Sequence, residues 1–223
     1  MNRLDTRIID VLEPVRDLAV GELLETIART LDEGHTVHAE PKARDRAGQV
    51  LREGRLALPS RRDLLVRHAG GSLTREIQGP GLLQFEPITL VEPDGFVCVI
   101  GPFRWDSALV VLERAEAPAA PACEAAPLPQ GADMEAAVEA ASPIAEPDWR
   151  PLRRWFLEWF QSRFSDEAPD LDGAVHAMYG PEDVPVGWRL RIDLGSAPVE
   201  ALNDLVGALA ATGAARVRIG ESN

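Results

Sequence analysis

Lysine is almost missing from this chain: Lys42 stands alone beside 22 arginines in 223 residues. The bias matches the codon usage of a GC-rich bacterial gene and carries no message of arginine-specific binding. Cysteine is scarce too, with Cys98 in the apolar run "FVCVIG" and Cys123 in an Ala/Pro-rich stretch. Two thiols exclude a four-cysteine metal site, and their settings argue against a disulfide between them. The sequence lacks both an apolar run long enough to span a bilayer and a leader with a basic start and apolar middle, so a cytoplasmic location is expected.

Catalytic signatures are missing as well. No G-x-S-x-G elbow occurs, and the glycine-rich "GGSLTREIQGPG" lacks the Lys-Ser/Thr ending of a phosphate-binding loop. His35 and His38 in "HTVH", with Glu40 close behind, begin a metal-like pattern. Positions three apart on a strand point to opposite faces, however, so no metal site is expected there, and no cofactor. With no catalytic residues to name, the sequence reads as non-catalytic. Positive charge is in deficit overall: the formal net charge is −13. Such a chain is repelled by nucleic-acid phosphates and anionic membranes, and it suits a soluble protein whose partner is another protein.

What is present is organised around one biased segment. Residues 115–148 hold thirteen alanines, six prolines and seven acids, with no base and no aromatic residue. So few large apolar side chains cannot offset the entropy of ordering, and the segment is predicted to be an extended acidic linker. It divides the chain into an N-terminal domain, 1–114, and a C-terminal domain, 149–223.

The expected fold class is α+β. In the N-terminal domain, Leu18, Leu23, Leu24, Ile27 and Leu31 fall near helical spacing, and Gly34 supplies a stop. A short strand at 35–41 and a polar helical stretch around 44–53 follow. Next comes an antiparallel meander, in which "DLLVRHA" and "SLTREIQ" flank the turn Gly70-Gly71 and "EPDG" forms a later β-turn. "FVCVIGPF" and "ALVVLE" complete it. Both are continuously apolar, so both their faces are expected to be covered.

The C-terminal domain reads α-β-β-α-β, a two-layer sandwich. In "GWRLRIDLG", Trp188, Leu190, Ile192 and Leu194 alternate with Arg189, Arg191 and Asp193. A helix with inward Val199, Leu202, Val206 and Leu209 leads to "ARVRIG", where Val217 and Ile219 alternate with Arg216 and Arg218. The domain opens with "PLRRWFLEWFQSRF", which holds five of the twelve aromatic residues. Leu152, Trp155, Phe156, Trp159, Phe160 and Phe164 form one broad helical stripe, expected to be core because so small a domain needs its rings inside.

The candidate contact residues follow from these patterns. Arg189, Arg191, Arg216 and Arg218 are expected on the sheet face away from the helices, suited to a carboxylate-rich partner or to the chain's own acidic linker. An exposed sheet edge could add a strand or a second copy, giving a homodimer. Trp105, with Arg104 beside it in "GPFRWDS", is either an exposed contact residue or a plug against the sheet. Trp155 and Trp159 are where the aromatic stripe is expected to exceed what a small sheet can cover. The leading expectation is therefore an accessory, adaptor, assembly-chaperone or immunity-type factor acting by protein–protein contact. One alternative is a small-molecule site or enzyme in the N-terminal meander, with Arg67, His68, Arg75 or Trp105 at its mouth. Another is nucleic-acid binding through residues 42–75, where nine bases face three acids. The absence of interleaved aromatics argues against single strands there.

Overall fold

The computed structural model describes residues 6–38, 41–62, 64–68, 70–71, 73–77, 82–113, 146–160 and 173–221. Helix α1 covers Thr6–Asp32, followed by short strands β1 (Thr36–His38), β2 (Arg52–Glu53) and β3 (Leu58–Pro59). Strands β4 (Leu64–Arg67), β5 (Leu73–Ile77), β6 (Leu82–Leu83), β7 (Ile88–Val91), β8 (Val97–Ile100) and β9 (Phe103–Arg104) come next. A single 3-10 turn at Trp105–Ser107 then leads into β10 (Ala108–Glu113). The later elements are α2 (Arg150–Phe160), β11 (Ala177–Val184), β12 (Gly187–Asp193), α3 (Val199–Ala210) and β13 (Arg216–Gly220). The fold is α+β, as the sequence indicates. The linker expected at 115–148 falls mostly on 114–145, outside the described residues.

The strands are not shared out between two sheets in the way the sequence suggests. One six-stranded sheet has the order β11-β12-β10-β13-β8-β7. β10 is antiparallel to β12 on one side, with Val110 opposite Leu190, and antiparallel to β13 on the other, with Val110 opposite Ile219. β13 in turn pairs in parallel with β8, Val217 opposite Cys98. The expected meander is therefore split: β4–β5 pair with β1 in a separate three-stranded sheet, β7–β8 pair in this one, and the next apolar strand is inserted between strands from the far end of the chain. Only one face of "ALVVLE" is enclosed, contrary to the expectation from its apolar run: Ala108, Val110 and Leu112 are buried, while Leu109, Val111 and Glu113 are half-buried on the other side of the sheet. β12 and β13 do run in the same direction, but β10 lies between them.

Alternation sets which side of this sheet is buried. Cys98, Ile100, Val110, Leu112, Leu190, Ile192, Val217 and Ile219 all point to one side and are almost fully enclosed. Leu152, Trp155, Phe156 and Phe160 of α2 join the same core, as do Val199, Leu202, Leu205, Val206 and Leu209 of α3. Four of the six stripe positions are thus core, Trp159 is half-buried and Phe164 lies outside the described residues. Trp155 is fastened further by its indole N–H, which donates to the Ala201 carbonyl at 2.9 Å.

α1 begins earlier than its leucines suggest, and of the five positions read from the sequence it buries only Leu23 and Ile27. Leu18, Leu24 and Leu31 are 75%, 49% and 47% exposed. The buried face is instead Ile8, Leu12, Arg16, Leu23, Ile27 and Thr30. Pro14 lies inside the helix on its exposed side, as does Asp10, whose carbonyl the proline leaves without a helical donor, so the loss falls toward water. Ile8 and Leu12 enter the main core, whereas Leu23 and Ile27 meet Leu64, Val66 and Ile77 in a second, smaller one. That second core belongs to the sheet β1-β4-β5, whose hairpin β4–β5 matches the sequence reading.

The helix expected around 44–53 does not form. The Asp45 carboxylate accepts from the backbone N–H of Ala47 and of Gln49, both at 2.9 Å, and Gly48 takes φ +81°. A side chain that satisfies nearby backbone donors in this way favours a turn over a helix. The chain then runs as short bridges, Arg44 opposite Val50 and Lys42 opposite Arg61.

One glycine is fixed by packing. Gly195 sits at φ +52° between β12 and α3, and a Cβ there would overlap the ring of His176, which is 1% exposed. Gly195→Ala is expected to lower stability by about 2–4 kcal/mol, the sum of left-handed backbone strain and overpacking. Urea unfolding of the two proteins measures it, and equal stabilities would show that the ring can move aside.

Candidate functional site

The sheet face opposite the helices is built by the same alternation. Its residues are Tyr179 and Glu182 of β11, Arg189 and Arg191 of β12, and Leu109, Val111 and Glu113 of β10. Arg216 and Arg218 of β13, Val97 and Val99 of β8, and Thr89 and Val91 of β7 complete it. All of them are exposed or half-buried, Val91 to 67% exposed. The register makes a continuous row across the sheet: Glu182, Arg189, Val111, Arg218, Val99, Thr89. All four arginines expected on this face are there, and β10 supplies a ground of leucine and valine between them.

Salt links hold the arginines in place. Arg189 reaches Glu182 at 2.6 Å, while Glu113 takes Arg218 at 2.8 Å and Arg216 at 3.4 Å. The Arg191 guanidinium lies 4.8 Å from the centre of the Tyr179 ring, a cation–π contact. Four guanidiniums against three carboxylates, those of Glu113, Glu182 and Asp193 at the end of β12, leave the face at +1 on a chain of −13. Exposed ion pairs of this kind add little to stability, so they pre-orient the guanidiniums more than they hold the fold. Arginines so placed over an apolar ground form a surface suited to planar carboxylates.

The other sequence candidates fare differently. Trp105 is not an exposed contact residue: the 3-10 turn carries it inward, fully buried, with its ring 5.9 Å from that of Phe103. Arg104 stays at the surface, and its guanidinium donates to both oxygens of Asp106, at 3.0 and 2.8 Å. That hydrogen bond and the adjacent charge raise its pKa above the ordinary arginine value. Trp155 is 3% exposed and also unavailable, whereas Trp159 is half-buried at the margin of the core.

Three bases of the segment 42–75 make contacts within the fold, while Arg46, Arg52, Arg62 and Arg67 are exposed. Arg61 is buried, donates to the Phe160 carbonyl and stacks 4.4 Å over the Phe160 ring. Arg55 pairs with Glu146 at 2.5 Å, and Arg44 donates to the Gly48 carbonyl. The side chain of Arg75 lies outside the described residues.

Sequence reasoning missed two features. A groove of about 840 Å³ runs between α2, α3 and the β7–β8 turn, floored by Leu90, Phe96, Trp155 and Val206. Glu92, Asp94, Glu158 and Asp204 line it with a single Arg154. This is not the pocket expected in the meander, since Arg67, His68 and Trp105 are not among its residues. The second is a buried arginine. Arg16 crosses from α1 to the loop before α3, donating to the carbonyls of Ser196 at 2.9 Å and Ala197 at 3.0 Å. A charged residue read on an amphipathic helix gives no sequence signal that it points inward.

Among the described residues, no group of three or more His, Cys, Asp or Glu side chains is placed to hold a metal ion, and no helix is long and apolar enough to cross a membrane. The Asp148 carboxyl is held down to about 2, first by hydrogen bonds from the Arg150 side chain and then from its backbone N–H. Compared with family models, curated proteins and solved structures, the chain matches none of them.

Cys98 is fully buried. Burial pushes its thiol from 9.0 up to about 12. Between these values the unfolded chain has lost a proton that the folded chain keeps, so stability falls as pH rises through 9 toward 12. In a Cys123→Ser chain, a thiol reagent at mildly alkaline pH is expected to label Cys98 only after denaturant is added. Fast labelling of the native protein would contradict the burial.

Proposed function

We propose that this chain is a non-catalytic binding protein that engages another protein through the open face of its six-stranded sheet. What supports the reading is one observation: a locally positive, arginine-bearing apolar surface on a strongly acidic molecule. Contact surfaces between proteins are enriched in arginine, and fixed charge over an apolar centre gives both orientation and desolvated contact. The fitting partner presents carboxylates at strand spacing, so that alternate acids meet Arg189, Arg191, Arg216 and Arg218 while the residues between them point away. An accessory or adaptor role in the cytoplasm suits such a protein. The outer strands β7 and β11 leave two sheet edges, on which strand addition or pairing of two copies could extend the same contact.

The test uses a fluorescent peptide alternating Glu and Val, with a Lys/Val peptide as control. Binding of the Glu/Val peptide alone, weakening as salt rises, is expected. In Arg191→Glu/Arg218→Glu, with both sites exposed and stability changed by roughly 0.5 kcal/mol or less, affinity is expected to fall about tenfold or more. Equal binding of both peptides, or an unchanged affinity in the variant, contradicts the proposal.

A further inference from the structure

Far from the six-stranded sheet, two side chains that can ligate metal converge. Gly34, at φ +81°, turns the chain after α1 and delivers His35, while His68 follows β4 and accepts the turn hydrogen bond from Gly71 N–H through its carbonyl. In the β1–β4 ladder Thr36 stands opposite Arg67, so positions 35 and 68 meet one step beyond its end. Their Nδ1 atoms are 3.0 Å apart, with ring centroids at 4.2 Å and ring planes at 88°. On the far side of His35, a Glu33 carboxylate oxygen stands 3.8 Å from Nε2. Both rings are partly buried, open enough for water and ions to reach them.

The arrangement has a chemical consequence. Two neutral imidazoles in contact share one N–H and one lone pair across the gap. The Glu33 carboxylate favours the His35 tautomer with its proton on Nε2, which leaves Nδ1 as the lone-pair atom. A carboxylate behind an imidazole whose other nitrogen is free is the support commonly given to a metal-ligating histidine. A tetrahedral ion with bonds of about 2.0–2.1 Å holds two nitrogens about 3.3 Å apart. The pair needs to open by a few tenths of an ångström, and the two rings to turn so that both lone pairs converge on the ion instead of facing each other. The His68 proton shifts from Nδ1 to Nε2, so both rings stay neutral and no proton is lost.

We propose that His35 and His68 form a two-imidazole site for a divalent transition-metal ion of the zinc class, with water in the remaining positions. Imidazole nitrogen suits such ions, whereas magnesium and calcium demand oxygen ligands. The ion would tie the end of α1 to the hairpin β4–β5 across the small core of Leu23, Ile27, Leu64, Val66 and Ile77. The site is independent of the sheet face and of any function assigned to it.

Zinc titration of the full chain, followed by NMR of the histidine ring signals, tests the site. The expected result is saturable binding of one ion that shifts His35 and His68 and leaves His38 and His176 in place, with no response to magnesium. His35→Gln and His68→Gln are each expected to weaken binding more than tenfold, and Glu33→Gln by about tenfold, while His38→Ala leaves it unchanged. Far-UV circular dichroism checks that each variant folds, and Glu33→Gln keeps the test alive if a histidine variant does not. No zinc binding, or binding that none of the His35, His68 and Glu33 changes weakens, overturns the proposal.

Discussion

The hydrogen bonding of β10 on both its edges is the constraint on which the rest of this molecule depends. Its six residues take β12 on one side and β13 on the other, so the backbone groups of Ala108–Glu113 are satisfied by chain that lies beyond residue 146. A strand so placed cannot turn one face to water without its other face entering the core. Ala108, Val110 and Leu112 are buried beneath the helices, and Leu109, Val111 and Glu113 form the ground of the open face. The functional surface and the core are thus two sides of one strand. Their alignment is set by register, because a slip of one residue would exchange them.

Two buried arginines brace this arrangement from the helical side. Arg16 ties α1 to the carbonyls before α3, and Arg61 ties the loop after β3 to the carbonyl end of α2. Both reach elements far away in sequence, and both use the carbonyl-rich positions where helices or loops leave acceptors unfilled. An arginine buried this way costs desolvation, which its hydrogen bonds to these carbonyls offset. α1 then carries its last turns away to the second core, so one long helix connects the main sheet to the small sheet that holds His35 and His68.

Much of this was legible in the sequence wherever a short-range pattern decides structure. The alternation Arg189, Leu190, Arg191, Ile192 and its match Arg216, Val217, Arg218, Ile219 fixed which residues share the open face. The period of Leu152, Trp155, Phe156 and Phe160 marked a core helix, and Gly70-Gly71 marked the hairpin. What failed was long-range. Nothing in "ALVVLE" distinguishes a strand that closes a meander from one inserted between strands that begin about 75 and 100 residues later, since both read as the same short apolar run. The acidic Ala/Pro stretch suggested separate sheets because it is a real change in composition, but composition does not report which strands pair. Trp105 and Arg16 were invisible for a related reason: a 3-10 turn and a carbonyl cluster contributed by distant chain decide that they face inward.

The central role of β10 is tested most directly by removing it. An isolated fragment of residues 146–223 keeps β11, β12, α3 and β13 in sequence but has no strand to sit between β12 and β13. Those strands lie two sheet spacings apart, about 10 Å, and cannot bond to each other without rebuilding the sheet. The expected amide NMR spectrum of the fragment is narrow and unprotected against hydrogen exchange, and it becomes dispersed when a fragment of residues 1–113 is added. A dispersed spectrum from residues 146–223 alone, with protected amides in β12 and β13, would contradict it.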